Sequence, residues 1–505
     1  MLRNPFYQLN LFSKDSIFYL IILLKFKMIQ FQKKPPTFLF YDYETFGIHT
    51  ALDKPAQFAC IRTDINLNII DDPQYFYCFP SDDYLPDPGS VLITHITPQY
   101  TEKNGTNEYN FSQKIYDILM QSNTCVVGYN NINFDDEITR NIFYRNFFDP
   151  YEWSWKNGNS RWDILNLLRA CYALRPTGIN WPKNELGLTS FKLSDLTKTN
   201  NIVHLNAHNA VSDVYATIEI AKLVKKKQPR LFDFFFKIRK KNELYKLIDL
   251  RNFQPIIYIS AYFGAIYHNM SCILPIAWHE NNSNILIAID LFKDIKTLIN
   301  MCKKICFDSI FIKNLLDSGV VLLHLNRCPI LAPIQVIRKE DYNRLNFHRF
   351  SLNKKIELIK KNMFFIQNIK IIFSKNNNTN QFFNVDLEIY NGFFNSKDKK
   401  KIQIIRNTDP VFLKHIFCNF HDSRLKNLFF RYRARNFFYT LDDNEKKIWL
   451  KHCMNVLNPV SFQEYKNNIQ FLLKKYSNNT EKVVLLKQLS DFSFQKYKKL
   501  FFEKY

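Results

Sequence analysis

The chain has 505 residues, 46% of them hydrophobic, and its 69 lysines and arginines outnumber its 46 aspartates and glutamates. This length fits about three domains, and the apolar content excludes a disordered tail or a fibrous protein. The sequence contains no run of about 18 apolar residues and no C-x-x-C zinc spacing, which predicts a protein of the reducing cytoplasm that spans no membrane.

Residues 1–27 differ in character from the chain that follows. The apolar run 17–24 is short, charged residues flank it, and no small-residue cleavage site follows it. We therefore predict that residues 1–27 are a non-native extension, or an upstream segment included by a wrong choice of start codon. The true start is then Met28. A secretion signal is the alternative.

The next 190 or so residues alternate strand and helix patterns. Strands are predicted at 37–45, 57–66, 75–80 and 124–130, and helices at 111–121, 134–148, 161–174 and 212–227. This order is typical of an α/β domain, which we place at 36–228.

The rest of the chain divides into a β-rich part and a helical part. Short β-type runs at 255–264, 284–291, 320–326 and 369–374 predict a small sheet or barrel with inserted helices over 229–380. Residues 375–381 are polar and predict a linker. Long periodic segments predict a helical domain at 385–505.

Positive charge is concentrated in the later part of the chain. Residues 1–230 hold 24 lysines and arginines against 23 aspartates and glutamates, whereas residues 231–505 hold 45 against 23. Such an asymmetry is typical of a protein in which one region binds a polyanion and the other region is balanced in charge. Compositional drift in a chain rich in Lys, Asn, Ile and Phe is the alternative.

Carboxylates recur at positions where they could meet. Asp42 and Glu44 are two residues apart in the first predicted strand, so both project from one face and could hold divalent cations. Asp135 and Asp136 open a predicted helix, and His208 and Asp213 lie at the start of a later one. Each position also has a structural interpretation, such as a helix cap or a surface loop. Asp386-Leu-Glu388 repeats the first spacing, and we expect it on a solvated strand face.

Four segments, DYETFG (42–47), GYNNINFDDEITRNIFYRNFFDPY (128–151), NSRWDILNLLRACYALRP (159–176) and NAHNAVSDVYATI (206–218), carry a specific resemblance. They resemble the bacterial exonuclease I family, 3′→5′ exonucleases of the histidine-containing branch of the DEDD superfamily. The resemblance runs from about Pro36 to the C-terminus, and it is weaker in the middle. It implies an α/β RNase-H-like exonuclease domain, an SH3-like β-rich domain and a helical C-terminal domain.

The resemblance also implies a site and a reaction. Asp42, Glu44, Asp135 and Asp213 would hold two Mg²⁺ ions, with Mn²⁺ able to substitute, and His208 would be the general base. Asp136 would support the helix start instead. The enzyme would degrade single-stranded DNA from its 3′ end in repair and recombination, releasing 5′-mononucleotides. The family further implies docking to the acidic C-terminal tail of single-stranded-DNA-binding protein. We expect a monomer.

Arginines and aromatic residues are interleaved between 140 and 192, as single-strand binding requires. We predict strand contacts from Arg140, Tyr151, Trp155, Arg169 and Lys192, and a further contact from Glu44 to the terminal 3′-hydroxyl. An exoribonuclease or proofreading exonuclease of the same superfamily, or a non-catalytic single-strand-binding protein, are the alternative functions.

Overall fold

The computed structural model describes residues 35–205, 207–374, 384–416 and 419–502. The predicted extension 1–27 and the predicted linker 375–381 lie outside the described residues. Within the described ranges, the chain forms a six-stranded sheet, a five-stranded sheet and a helical C-terminal part. Among these residues, no helix combines the length and the apolar character that crossing a bilayer requires.

The first sheet is mixed. Its strands are β1 (Thr37–Thr45), β2 (Pro55–Thr63), β3 (Gln74–Cys78), β4 (Gly105–Thr106), β5 (Thr124–Gly128) and β6 (Ser160–Asp163). They are arranged in the order β4-β3-β2-β1-β5-β6. Because β1 pairs antiparallel with β2 and parallel with β5, it lies inside the sheet.

Helices cover both faces of this sheet. They are α1 (Pro88–Thr94), α2 (Pro98–Asn104), α3 (Glu108–Leu119), α4 (Asp135–Arg145), α5 (Ile164–Leu174), α6 (Leu193–Thr199), α7 (Ala210–Lys227), α8 (Pro229–Ile238) and α9 (Lys241–Tyr245). Side chains alternate between the two faces of a strand. Phe38 and Phe40 of β1 therefore share a face and join the core that contains Val214 of α7. The opposite face packs against α3 and α4. Asp42 and Glu44 continue the face that α7 covers.

The second sheet is antiparallel throughout. Its strands are β7 (Ile256–Ile259), β8 (Met270–Trp278), β9 (Ile285–Asp290), β10 (Val320–His324) and β11 (Ile330–Pro333), in the order β10-β9-β8-β7-β11. The associated helices are α10 (Ile295–Met301), α11 (Ser309–Asp317), α12 (Arg349–Lys360) and α13 (Met363–Ser374). This sheet and the α5–α7–α8 face of the first sheet share one hydrophobic core.

The C-terminal part is helical. It contains α14 (Ser396–Asn407), α15 (Ser423–Asn436), α16 (Asp443–Val456), α17 (Pro459–Lys475) and α18 (Thr480–Phe501). Short 3₁₀ helices connect elements along the chain: Glu152–Ser154, Lys156–Gly158, Ala261–Phe263, Ala265–Tyr267, Leu325–Arg327, Ile334–Val336, Lys339–Asp341, Val385–Leu387, Pro410–His415 and Phe438–Thr440. Leu486 and Leu489 of α18 pack with Phe46 and Val91, so the end of the described chain returns to the first sheet.

Two elements predicted from the sequence are wrong. The segment 161–174 is not one helix, because residues Ser160–Asp163 form β6, which pairs with β5 before α5 begins. The segment 369–374 is not a strand, because it forms the end of α13. A short, mostly apolar segment is compatible with either a buried strand or a buried helix, so periodicity alone does not separate the two.

A buried ion pair joins α15 to the first sheet's domain, and two more hold α15 within the C-terminal part. Arg435 of α15 lies 2.7 Å from Asp83 and 2.6 Å from Asp386. Arg431 lies 2.9 Å from the same Asp386. Asp386 is 3% exposed and lies in a 3₁₀ helix, so the expectation of a solvated strand face is wrong. The network fixes how α15 docks.

Candidate active site

Two carboxylates of β1 meet a third from a distant part of the chain on one face of that strand. One carboxylate oxygen from each of Asp42, Glu44 and Asp213 lies within 4.8 Å of the others. Asp42 and Glu44 project from the same face of β1. Asp213 lies in the first turn of α7, whose start is capped by Asn209. The cluster therefore forms because α7 packs on the face of β1 that carries the two acids.

Burial and mutual repulsion disfavour the charged forms of these groups. Burial raises the pKa of Glu44 to about 9, and the charges of Asp213 and Asp135 add to the effect. Burial also raises the pKa of Asp42 well above its usual range, and Asp135, Glu44 and Asp213 contribute in that order. A bound cation would remove this penalty. Carboxylate oxygens are the ligands that hard divalent cations such as Mg²⁺ and Mn²⁺ prefer, so the donor set fits them.

Asp135 lies next to this cluster. Its side chain is 3% exposed, and its Oδ1 accepts a hydrogen bond of 3.1 Å from the backbone N–H of Tyr43, between Asp42 and Glu44. Burial raises the pKa of Asp135 to about 8, although the Tyr43 hydrogen bond opposes the shift. The structure thus places Asp135 against the backbone of β1, beside the group of three carboxylates.

The neighbouring Asp136 has different surroundings. It is fully buried, accepts a hydrogen bond of 2.5 Å from the Tyr41 hydroxyl and forms an ion pair with Arg161. Asp136 lies in the first turn of α4, where the sequence predicts that it supports the start of the helix. Its carboxylate also binds Tyr41 and Arg161, so it contributes to tertiary structure as well.

Two histidines precede Asp213, and the structure separates their positions. The side chain of His208 is exposed, its backbone has a φ of 65°, and that backbone forms a hydrogen bond with Asp213. The imidazole Nε2 of His204 lies 2.5 Å from Asp213 Oδ1. Sequence reasoning missed His204. A signal was present, since the two histidines are four residues apart immediately before a carboxylate-bearing helix.

The residues predicted to contact a DNA strand fall into two groups. Trp155 is 65% exposed and Lys192 is exposed. The other three already have partners in the protein. Arg140 pairs with Glu137 at 2.5 Å and is 8% exposed; the Tyr151 hydroxyl is 3.3 Å from the Ile389 carbonyl oxygen; and the guanidinium of Arg169 donates to Asn166 at 2.8 Å.

The chain matches three family models in succession. They are described as Exonuclease over residues 39–221, Exonuclease I SH3-like domain over 239–375 and Exonuclease I C-terminal domain over 383–496. Exodeoxyribonuclease I of Buchnera aphidicola subsp. Schizaphis graminum is 63% identical over 94% of this chain and 98% of its own length. Exodeoxyribonuclease I of Escherichia coli K12 is 47% identical over 90% and 97%, respectively.

Solved structures agree in fold over nearly the whole length. E. coli exonuclease I in complex with a dA16 oligonucleotide superposes with a TM-score of 0.87 at 46% identity, covering 91% of this chain and all of that one. A zinc-bound complex of the E. coli protein with single-stranded DNA gives 0.85, and a structure of SSB/exonuclease I with the inhibitor CFAM gives 0.86. Both are 46% identical and cover 92% of this chain and all of theirs. The predicted fold class, an RNase-H-like exonuclease domain followed by an SH3-like domain and a helical domain, is confirmed. The chain belongs to the exonuclease I family.

Proposed function

We propose that this chain degrades single-stranded DNA in the 3′→5′ direction and releases 5′-mononucleotides, in DNA repair and recombination. The observation that carries the proposal is the meeting of Asp42, Glu44 and Asp213 within 4.8 Å, next to Asp135. Relatives named exodeoxyribonuclease I, and an E. coli structure that contains dA16, support DNA as the substrate.

We further propose that the cluster holds two Mg²⁺ ions, with Asp42, Glu44, Asp135 and Asp213 as their ligands. An all-carboxylate donor set favours Mg²⁺ or Mn²⁺, whereas zinc prefers nitrogen and sulfur ligands. When bound, the ions would stabilise the charge on the scissile phosphate and lower the pKa of a bound water. Mn²⁺ is expected to substitute for Mg²⁺ because it accepts the same oxygen ligands.

The protein side chains have separate tasks in this reaction. His208 takes the proton of the attacking water, because an unprotonated imidazole nitrogen can act as a general base. Two observations support this role: the His208 side chain is exposed, and its backbone forms a hydrogen bond with Asp213 of the cluster. Glu44 binds a cation or hydrogen-bonds to the terminal 3′-hydroxyl.

Strand binding needs cations for phosphates and rings for bases. Trp155 supplies an exposed ring that a base can stack on, and Lys192 supplies an exposed charge. The stretch 140–192 also contains Arg140, Tyr151 and Arg169. Each of these already has a partner within the protein. To bind a strand, each must share that partner with the DNA or exchange it for the DNA.

The wider proposals concern partners and organisation. We propose that a basic surface of this chain receives the acidic C-terminal tail of single-stranded-DNA-binding protein, which an SSB/exonuclease I structure supports. The enzyme acts as a monomer in the cytoplasm. Its domains span 36–228, 229–380 and 385–505.

The test compares the wild type with Asp213→Ala on matched DNA and RNA oligonucleotides labelled at the 5′ end. We expect the wild type with Mg²⁺ to shorten single-stranded DNA progressively from the 3′ end, and the variant to bind DNA without cleaving it. Equal degradation of RNA would favour an exoribonuclease. Binding without any cleavage by the wild type would favour a non-catalytic binding protein, and normal turnover by the variant would refute the site.

A further inference from the structure

We propose that His204 is a positioning residue that holds the Asp213 carboxylate in the orientation in which it meets Asp42 and Glu44. The inference rests on the proposed function of that cluster. His204 Nε2 lies 2.5 Å from Asp213 Oδ1, and its side chain is 5% exposed, compared with 17% for Asp213. The contact is therefore shielded from water, where a hydrogen bond to a charged group orients its partner most strongly.

The other ring nitrogen of His204 is also bonded, so the imidazole cannot turn freely. Its Nδ1 lies 3.2 Å from the hydroxyl of Thr197, which is 1% exposed. That hydroxyl lies 3.0 Å from the carbonyl oxygens of Leu193 and Ser194 in its own helix, α6. The ring thus links α6 to the first turn of α7.

The direction of the key hydrogen bond follows from the chemistry of the partners. An ionised carboxylate only accepts hydrogen bonds. With Asp213 ionised, as it must be to hold a cation, Nε2 of His204 carries the proton and donates it. The Thr197 hydroxyl has one proton, so it either donates to Nδ1 of a neutral ring, or accepts from a protonated Nδ1 and donates to the α6 carbonyl oxygens.

This tether leaves Asp213 able to bind a cation. A carboxylate has about four lone-pair sites, and His204 occupies one of them. Without the tether, the Asp213 side chain at the start of α7 could rotate away from Asp42 and Glu44, whose charges repel it. Removing such a partner of a metal ligand typically costs about 10- to 100-fold in metal affinity or activity.

The test measures Mn²⁺ binding calorimetrically in the absence of DNA, alongside the Mg²⁺ dependence of cleavage. His204→Phe fills the site without a donor, and His204→Gln keeps a donor amide. We expect His204→Phe to weaken Mn²⁺ binding about 10- to 100-fold and to raise the Mg²⁺ concentration for half-maximal cleavage. We expect His204→Gln to recover most of the loss. The affinity for single-stranded DNA in EDTA should be the same for all three proteins.

A result in which His204→Phe binds Mn²⁺ as tightly as the wild type would overturn the proposal while leaving the proposed function intact. So would a folded His204→Gln that is as impaired as the Phe variant. If His204→Phe does not fold, Thr197→Val, which removes the partner of Nδ1, must weaken Mn²⁺ binding in the same direction to a smaller extent, and an unchanged affinity overturns the proposal. A wild type that neither binds Mn²⁺ nor cleaves DNA would instead reject the metal site itself, and the positioning role with it.

Discussion

The repulsion among the clustered carboxylates predicts that Asp42→Asn stabilises the metal-free protein while abolishing cleavage. The three carboxylate oxygens lie within 4.8 Å of one another. Two unit charges at that separation repel by about 3.5 kcal/mol at an effective dielectric constant near 20. Asp42 takes part in two such pairs, and its amide replacement keeps the shape of the side chain.

Protonation already relieves part of this repulsion in the wild type, because the pKa values of Asp42 and Glu44 are raised. We therefore expect the free energy of unfolding to rise by a smaller net amount, about 2 kcal/mol. For a domain of the length of 36–228, this corresponds to a rise in melting temperature of about 4–8 °C. The assay is thermal unfolding in EDTA and again in saturating Mg²⁺. Added Mg²⁺ should raise the melting temperature of the wild type and leave that of Asp42→Asn nearly unchanged.

The control is Asp491→Asn, which removes an exposed carboxylate from α18. Surface charges contribute little to stability, so this variant should melt with the wild type in both buffers. An Asp42→Asn protein that melts at or below the wild-type temperature in EDTA would refute the reasoning, because the cluster would then carry no stored repulsion.

Three further predictions concern a second buried ion pair, Glu108 with Arg145 at 2.8 Å, and the strand contacts. Burial opposes ionisation of Glu108, but the charges of Arg145 and Lys54 outweigh it and lower the pKa of Glu108 from 4.5 to about 2. The resulting stability is present above pH 4.5 and is lost as the pH falls towards 2. Glu108→Gln should therefore cost about 3 kcal/mol at pH 7 in urea unfolding, with a difference that shrinks below pH 4.5; a constant difference would contradict the assignment. Trp155→Ala should weaken single-strand binding by about 1–3 kcal/mol without changing the melting temperature, and unchanged affinity would exclude Trp155 as a stacking platform. Lys192→Gln should reduce the slope of log affinity against log salt by about 0.7 if Lys192 contacts one phosphate, and an unchanged slope would place it off the strand.

Local pattern was enough to predict the parts of the site that lie on single elements. The alternation in β1 places Asp42 and Glu44 on one face, and the helical period after Asn209 places Asp213 in a first turn. The site itself needed tertiary structure, because only the packing of α7 on β1 brings Asp213 to the strand. The short strand β6 was missed because its four residues run directly into the apolar period of α5.

The features that the sequence did not reveal depend on partners in other elements of the fold. The sequence alone predicts Asp386 at the surface, whereas in the structure it forms buried ion pairs with Arg431 and Arg435 of α15. His204 lies outside the predicted helices and strands, and only the structure shows that its two ring nitrogens contact Thr197 and Asp213. In both cases a specific hydrogen-bonding or ionic partner compensates the cost of burying a polar side chain.

The measurement that tests the metal site most directly is anomalous diffraction from crystals soaked in Mn²⁺. We expect two peaks about 4 Å apart, both in contact with the Asp42 carboxylate and at least one in contact with Asp213. If saturating Mn²⁺ gave no peak within about 2.5 Å of any of these carboxylate oxygens, the acids beside β1 would not be a metal centre, and the account of catalysis built on them would be contradicted.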